Sequence, residues 1–293
     1  MSNSLMLVKK DTVDVVAERV RIFQEKGELH FPSNYSPENA MKSAWLTLQE
    51  TENKDHKKAL DVCTKDSIAN ALLNMVVQGL NPAKKQCYFI PYGNQLTLQR
   101  SYFGTMHVAK SIRPDIEEIN ADVVYQGDEF EYEKIRGRNV ITKHKQKLEN
   151  VDKTKIIAAY CSVYYEGGKE ETTIMNIEDI KQAWKQSKMN PITEKGAISA
   201  SSVHGKFTAE MCKRTVTNKA CKVIINSSND SNLLMKAYRN TDDSIVEAEA
   251  EAEIAEHANK TIIDVETGEI TDAGEPSQEA SQVFEDIATD DLP

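Results

Sequence analysis

The chain has 293 residues, of which 40% are hydrophobic and 28% are charged, and its formal net charge is −10. No run of about 18 apolar residues occurs, and the first eleven residues lack the apolar stretch of a signal peptide. This composition excludes a membrane-spanning protein, and we expect a globular protein of the cytoplasm with a full hydrophobic core. The five cysteines are scattered along the chain, which favours reduced core residues over a disulfide framework.

The charge is divided unevenly between the body of the chain and its C-terminal end. Residues 241–293 contain seventeen Asp and Glu against one Lys, a net charge near −16, whereas the other 240 residues carry a net charge of +6. A basic body with an acidic end is typical of a nucleic-acid-binding domain with an interaction tail. The tail is rich in Ala, Glu and small polar residues and cannot bury enough apolar surface to offset its ordering entropy, so we predict that it is disordered or at most transiently helical.

The first part of the body is predicted to be helical. Apolar residues at helical spacing predict a helix over residues 13–24, and Ser36 is expected to cap a second helix that extends to Gln49. A third helix is predicted over residues 67–78, with Asp66 as its cap. We therefore predict an N-terminal helical region of residues 1–58, a core of residues 59–240 and an acidic tail of residues 241–293.

A β-hairpin is predicted next, with strands over residues 86–91 and 95–99 around the turn Gly93-Asn94. Because strand side chains alternate, Leu96 and Leu98 are expected to face the core. The opposite, polar face is expected to end in Arg100 and to be followed by two aromatic residues. Such a surface can hydrogen-bond and stack on bases of any sequence, although an ordinary solvated strand face remains the alternative. The residues concerned are Gln95, Thr97, Gln99, Arg100, Tyr102 and Phe103.

After a predicted helix over residues 102–112, strands are predicted over residues 119–124, 130–135 and 140–147. Six cations lie within fourteen residues of the hairpin formed by the last two strands: Lys134, Arg136, Arg138, Lys143, Lys145 and Lys147. Alternation places the last three on one face, where the row can follow a phosphate backbone. Lysines on an exposed edge strand also protect a sheet against aggregation, so both interpretations, phosphate contact and protection, stay open.

The end of the body is predicted to form a hairpin of residues 156–165 and 170–175, a helix capped by Asn176, a loop over residues 188–205 and a helix over residues 206–224. The apolar stripe of the last helix is expected to comprise Ala209, Cys212, Val216, Ala220 and Val223. It is flanked by five cations, Lys206, Lys213, Arg214, Lys219 and Lys222. This excess favours an anionic partner, although lysine stems also cover apolar surface in many helices.

Three motifs in the body resemble the hallmark block of the RecT family of phage and prophage single-strand annealing recombinases. They are Gly-Leu-Asn-Pro at residues 79–82, Tyr-Phe-Ile-Pro-Tyr-Gly at residues 88–93, and Leu-Thr-Leu-Gln-Arg-Ser-Tyr-Phe-Gly at residues 96–104. A later run is similar to the second, basic helical block of that family: Phe207, Glu210, Met211, Lys213, Arg214, Thr215 and Lys219. The similarity extends from about residue 66 to residue 226.

The resemblance implies an α+β fold with a Rad52-like antiparallel β-sheet packed on helices. It also implies a protein that anneals complementary DNA strands as a ring or helical filament, without ATP, a cofactor or catalytic residues. The implied partners are single-stranded DNA, the annealed duplex intermediate, further copies of the chain, a phage exonuclease and the host single-strand-binding protein machinery. We predict these DNA-binding residues: Asn94, Gln95, Gln99, Arg100, Tyr102, Lys110, Lys143, Lys145, Lys206, Lys213, Arg214 and Lys219.

The C-terminal end resembles the acidic tips of bacterial single-strand-binding proteins, without their final aromatic residue. Its apolar residues Phe284, Ile287 and Leu292 are spaced through an acidic sequence. Pure electrostatic masking of the basic body would not need apolar anchors, so we expect this ending to dock a partner.

Two other functions are compatible with parts of the sequence. Asp115, together with Asp179 and Lys181, loosely matches the magnesium site of restriction-like nucleases, which needs Asp and Lys on adjacent strands. Asp179 is instead expected to begin a helix. The other alternative is an oligomeric scaffold whose basic faces bind its own acidic tails. The chain contains no Walker-type phosphate loop, His-Glu-x-x-His or Cys-x-x-Cys motif.

Overall fold

The structure is a computed structural model that describes residues 2–32, 35–53, 55–186, 190–228, 232–241, 261–263 and 270–272. It has an α+β fold in which antiparallel strands pack against helices, as predicted. The chain divides into two compact units, one of Met1–Gly104 with Asn229–Pro293 and one of Thr105–Ser228. The predicted boundary at residue 58 does not separate these units, and the division into a helical region, an annealing core and a tail stays a prediction.

The helices of the first unit include a central one on which three others pack. They are α1 (Ser2–Glu25), α2 (Pro37–Glu50), α3 (Ala59–Val62), α4 (Lys65–Val77) and α9 (Asn232–Arg239). Helix α4 contacts α1, α2 and α9, and its Ile68, Leu72 and Met75 are completely buried. The predicted cap of α4 is wrong by two residues, because the side chain of Thr64 accepts the hydrogen bond from the Ser67 N–H. The helix therefore begins before Asp66 rather than after it.

A two-stranded sheet, β1 (Cys87–Tyr92) and β2 (Gln95–Arg100), packs on α4. Its turn contains Gly93, whose positive φ of 57° suits glycine. Leu96 and Leu98 are buried as predicted, and Gln95 and Gln99 are half-exposed on the other face. The prediction that Arg100 continues the polar face is wrong, because an even-numbered position in this strand points into the core.

Arg100 is instead the centre of a buried hydrogen-bond network and is only 4% exposed. Its Nη1 donates to Oε1 of Gln78 at 2.7 Å, to the carbonyl oxygen of Tyr238 at 2.9 Å and to Oγ1 of Thr241 at 2.5 Å. The guanidinium also lies 3.8 Å from the centre of the Tyr238 ring, a cation–π arrangement. This network joins β2, the end of α4 and the end of α9.

The second unit contains a five-stranded antiparallel sheet in the order β3-β6-β7-β5-β4. Helices α6 and α8 pack on β6 and β7, and α8 also contacts the edge strand β3. Helix α5 (Tyr102–Ile112) extends into this unit from the first one and has the predicted bounds. The other elements are β3 (Ile116–Tyr125), β4 (Glu129–Ile135), β5 (Arg138–Lys145), β6 (Ile156–Tyr165), β7 (Lys169–Asn176), α6 (Ile177–Lys185), α7 (Val203–Lys206) and α8 (Thr208–Asn226).

The last basic helix differs from its prediction in two ways. The chain leaves helical geometry at Phe207, where φ is −124° and ψ is 48°, so α7 and α8 are separate helices. The predicted apolar stripe is also only partly correct, because Cys212, Val216 and Ala220 are buried but Val223 is 65% exposed, while Cys221 and Ile225 are fully buried. The pattern contains apolar residues on more than one side of the helix, and only packing on the sheet selects which side is buried.

Two predictions concern the state of the cysteines and the absence of membrane-spanning helices. All five cysteines are buried and unpaired, as predicted, and burial raises the pKa of the Cys63 thiol to about 12. Among the described helices, none combines the length and the apolar character that crossing a bilayer requires. Within the predicted acidic tail, Thr261–Ile263 (β8) and Ile270–Asp272 (β9) pair as antiparallel strands, and the rest of residues 242–293 lies outside the described residues.

We expect Arg100→Met to lower the free energy of unfolding by about 2–4 kcal/mol, because it leaves buried acceptors without their donor. Urea denaturation of the full chain measures the change. Thr97→Val, on the half-exposed face of the same strand, is the control and should change stability by less than about 0.5 kcal/mol. Equal effects of the two substitutions would contradict a stabilising role for the network.

Candidate nucleic-acid interface

The start of helix α5 is fixed to the turn that precedes β1. The Ser101 N–H donates to the carbonyl oxygen of Gln86 at 3.0 Å, and the Ser101 hydroxyl donates to the carbonyl oxygen of Lys85 at 2.6 Å. Gly104 makes this approach possible, since a Cβ atom there would lie 2.2 Å from the Gln86 oxygen. The close packing holds the first residues of α5 beside the Lys84-Lys85 turn.

An exposed group of aromatic and cationic side chains results from this local packing. The rings of Tyr102 and Phe103 lie 4.0 Å apart between centroids, and Phe103 is 46% exposed. Lys84 and Lys85 are exposed on the adjoining turn. These two lysines are absent from the predicted site, although their position next to the Gly-Leu-Asn-Pro motif was a usable signal.

The outer face of the β1–β2 hairpin adds tyrosines to the predicted amides. The antiparallel register places Tyr88 opposite Gln99 and Tyr92 opposite Gln95, and Tyr88 is 48% exposed. Counting back across the two-residue turn would have identified both tyrosines from the sequence. We call the following set the lysine–aromatic surface: Lys84, Lys85, Tyr88, Gln99, Tyr102 and Phe103.

Two predicted DNA-binding residues of this hairpin are buried rather than exposed. Asn94 is 6% exposed, and its carbonyl oxygen accepts the Thr64 N–H at 2.9 Å, so the turn is attached to the start of α4. Arg100 is held inside the first unit by the network described above. Their positions do not agree with direct contact to DNA on an exposed face. Both residues support the hairpin that carries the exposed side chains.

The predicted row of lysines on β5 is compensated by acids on the neighbouring strand. The Lys143 ammonium lies 2.7 Å from an Oε of Glu129 and 3.9 Å from an Oε of Glu131. The bond to Lys143 is the main cause of the lowered pKa of Glu129, and Lys145 lowers it further. The register of β4 and β5 produces this pairing, because Glu131 is opposite Lys143 and Glu129 is opposite Lys145. The row therefore presents less positive charge than the sequence of β5 indicates.

The tip of the same hairpin carries three cations outside ion-pair distance of a carboxylate among the described residues. Arg136 and Gly137 form the turn with φ angles of 51° and 81°. Lys134, Arg136 and Arg138 are exposed there, and none lies within 4.0 Å of a carboxylate in the part of the chain that the structure describes. Ile135 is 50% exposed between them. The tip rather than the lysine row is thus the more positive part of the hairpin.

The cations of α8 do not form one continuous stripe. Lys213 lies 3.2 Å from Glu210 and 3.9 Å from Asp122 on β3, and these acids raise its pKa although burial alone would lower it. Lys219 is exposed and, six residues later, lies on another side of the helix. Arg214 is half-buried, and it assists burial in lowering the pKa of His204. Each cation therefore has a different environment.

Two further predicted cations lie on helices outside α8. Lys110 is exposed near the end of α5, and its ammonium donates to the carbonyl oxygen of Glu117 at 2.7 Å. Lys206 is exposed at the end of α7. Neither lies within 4.0 Å of a carboxylate among the described residues, so both present positive charge to solvent.

The two acids of the alternative nuclease site, Asp115 and Asp179, each bond to residues close to them in sequence. Both oxygens of Asp115 accept hydrogen bonds from Arg113, at 2.8 and 2.7 Å. Asp179 lies in the first turn of α6, where its N–H donates to Oδ1 of Asn176, and the predicted helix start is confirmed. In the described part of the chain, no three His, Cys, Asp or Glu residues are grouped so as to hold a metal ion.

The fold and these surfaces define an α+β protein with exposed aromatic, amide and cationic side chains of the kind that nucleic-acid-binding proteins use. The model of the RecT family matches residues 38–256, which include the β1–β2 hairpin, the five-stranded sheet and α8. The chain therefore belongs to the RecT family, whose members are single-strand annealing proteins of phage recombination. Among proteins with curated descriptions, none matches the chain.

We expect the double variant Arg136→Gln/Arg138→Gln to reduce the salt dependence of single-stranded DNA binding. Each phosphate contact with a single strand contributes about 0.7 to the slope of log affinity against log salt, so the slope should fall by roughly 1.4. Lys143→Gln, whose cation already has a carboxylate partner, should change the slope by less than about 0.3. Fluorescence anisotropy titrations over a range of salt concentrations measure both variants, and a larger effect of Lys143→Gln would refute the assignment to the tip.

Proposed function

We propose that this RecT family protein binds single-stranded DNA and anneals complementary strands during phage recombination, without ATP. The lysine–aromatic surface is the observation that carries the proposal, because it combines cations with exposed rings on a rigid support. The family membership supports the same function. The protein acts as an oligomer in the host cytoplasm, and the annealed duplex is its product.

The first part of the mechanism is neutralisation of the phosphate backbone. Lys84 and Lys85 on the first unit, and the tip of the β4–β5 hairpin on the second unit, offer exposed cations that lie more than 4.0 Å from any carboxylate among the described residues. Binding releases counterions from the DNA, so affinity falls steeply with salt and does not depend on sequence. Neutralised strands repel each other less, which allows a complementary strand to approach.

The second part is the support of the bases. Tyr88 and Phe103 expose rings on which bases can stack, and stacking is tolerant of sequence because every base has a π-face. The amides of Gln95 and Gln99 can both donate and accept hydrogen bonds. Bases held by one face keep their pairing edges accessible, and annealing then needs no covalent step and no catalytic residue.

The remaining predicted cations are proposed to act on the second strand or between subunits. Lys110, Lys145, Lys206 and Lys219 are exposed, and Lys213 and Arg214 lie on α8. A phage exonuclease would supply the single strands, and the apolar and acidic C-terminal ending would dock that enzyme or the host single-strand-binding protein machinery. The nuclease alternative gains no support, since Asp115 is already bonded to Arg113.

We expect Tyr88→Ser and Phe103→Ser each to weaken binding of a mixed-sequence oligonucleotide about 5- to 150-fold. This range corresponds to the loss of roughly 1–3 kcal/mol of stacking for one base. Leu46→Ser removes an apolar side chain that is 65% exposed on α2 of the same unit, and this control should stay within about twofold of the parent. Fluorescence anisotropy measures the affinities, and parental binding by both tested variants would exclude the surface from the site.

We expect labelled complementary strands, incubated with the protein and Mg²⁺ without ATP, to become duplex and to remain full length. The reason is that the proposed mechanism neutralises and aligns the strands and breaks no bond. Native gels measure annealing, and denaturing gels measure strand length. Shortened strands would favour the nuclease alternative, and a protein that leaves the strands single would favour the scaffold alternative.

A further inference from the structure

The acidic C-terminal segment begins with a short, purely anionic stretch. Residues 242–256 contain seven Asp and Glu and no Lys or Arg. The acids are Asp242, Asp243, Glu247, Glu249, Glu251, Glu253 and Glu256. The stretch follows Thr241 directly, and Thr241 is a described residue of the first unit. The place where the negative charge begins is therefore defined.

Thr241 is fixed inside the first unit by the network of Arg100. It is 1% exposed, its Oγ1 accepts a hydrogen bond from Nη1 of Arg100, and it lies 3.1 Å from Oε1 of Gln78. Its hydroxyl is also 3.0 Å from the carbonyl oxygen of Ala237. The acidic stretch thus follows a residue that is bonded to Arg100, the last residue of β2.

The end of β2 adjoins the lysine–aromatic surface. Arg100 is followed by Ser101, whose hydroxyl donates to the carbonyl oxygen of Lys85 at 2.6 Å. One arginine side chain and two hydrogen bonds connect the start of the acidic stretch to the lysine turn. An extended chain spans about 3.3 Å per residue, so fifteen residues reach roughly 50 Å. The stretch is long enough to cover the surface without strain.

We propose that residues 242–256 occupy the lysine–aromatic surface when DNA is absent and compete with single-stranded DNA for it. Seven carboxylates imitate the charge of a phosphate backbone, and Lys84 and Lys85 are the cations that they meet. Covalent attachment gives such a competitor an effective concentration in the millimolar range. A long strand with many contacts displaces it, whereas a short or weakly bound strand does not, so the stretch selects for extended single strands.

The inference rests on the proposed function and assigns its regulation to one segment. The apolar ending near Phe284 has a different proposed task, the docking of a partner, and the two parts of the tail can be changed separately. The first test replaces the seven acids of residues 242–256 by Asn and Gln in the full-length protein. Its control replaces seven later acids in the same way: Glu269, Glu275, Glu279, Glu285, Asp286, Asp290 and Asp291.

Both variants have the same length and the same change of net charge, so only the position of the acids differs. We expect the first variant to bind a short oligothymidylate at least about fivefold more tightly at low salt, and the control to stay within about twofold. The difference should disappear at high salt, where screening weakens the competitor. Equal gains would show a general effect of charge, and no gain in either variant would show no competition; both results overturn the proposal.

A second test asks whether the lysines are the site of competition. In Lys84→Gln/Lys85→Gln, neutralising residues 242–256 should change affinity by less than about twofold, because the two changes act on one interaction. In the control Lys26→Gln/Lys42→Gln, which removes two exposed lysines elsewhere in the first unit, the full gain should remain. A gain that persists without Lys84 and Lys85 would place the competition elsewhere and overturn the proposal.

A readout without DNA separates this inference from the proposed function. Carbodiimide crosslinking of the full-length protein, followed by peptide mass spectrometry, should join Lys84 or Lys85 to an acid of residues 242–256 of the same chain. Oligothymidylate should suppress these crosslinks. Annealing without the crosslinks would overturn the inference alone, as would crosslinks found only between copies in an isotope-mixed sample. A protein that forms the crosslinks but binds no DNA would overturn the proposed function alone.

Discussion

The buried guanidinium of Arg100 is the interaction on which the candidate interface depends. A buried cation is strongly unfavourable unless its donors are satisfied. Here Gln78, the carbonyl oxygen of Tyr238 and Thr241 accept from it, and the Tyr238 ring lies against its flat face. These partners come from two helices that are far apart in sequence. One side chain therefore connects the end of β2, the end of α9 and the residue that precedes the acidic segment.

The exposed side chains next to Arg100 gain a fixed direction from this anchor. Gln99 precedes it on the outer face of β2, and Tyr102 and Phe103 follow it at the start of α5. Ser101 and Gly104 hold that helix start against the turn before β1. A binding surface whose supports are already ordered loses less conformational entropy when a strand binds. The buried arginine thus helps to order the exposed aromatic residues.

The positive surfaces of this protein depend more on which cations are paired with acids than on the total number of cations. Residues 134–147 carry six cations in sequence, but the cross-strand glutamates compensate Lys143, while Arg136 and Arg138 at the turn lie more than 4.0 Å from any carboxylate among the described residues. On α8, Lys213 is held between two acids. A net charge of +6 for residues 1–240 therefore corresponds to a few local positive surfaces, which suits binding to a backbone without a sequence preference.

The sequence by itself determined the local elements and the family. Period-two and period-3.6 patterns predicted five successive strands along the chain and the bounds of α5, because these patterns reflect which face of an element is buried. The order of these strands within the sheet was not predicted. Motifs of residues 79–104 gave the RecT resemblance, which the family match confirms. The half-exposed face of Gln99 and the turn at Gly93 also followed from the sequence, since they depend on neighbours within a few residues.

Only the tertiary structure decided which charged residues are available to a partner. The sequence predicts that Arg100 is an exposed cation, because its buried acceptors, Gln78 and Thr241, are 22 and 141 residues away along the chain. The sequence predicts an unpaired cation at Lys143 because its partner Glu129 is on another strand. It also does not show that the turn containing Lys85 lies beside the start of α5, because that position depends on the hydrogen bond from Ser101 to the Lys85 carbonyl oxygen. A sequence pattern records the period of burial along one element, whereas hydrogen bonds and ion pairs between elements depend on register and packing. That is why the elements followed from the sequence and the composition of the site did not.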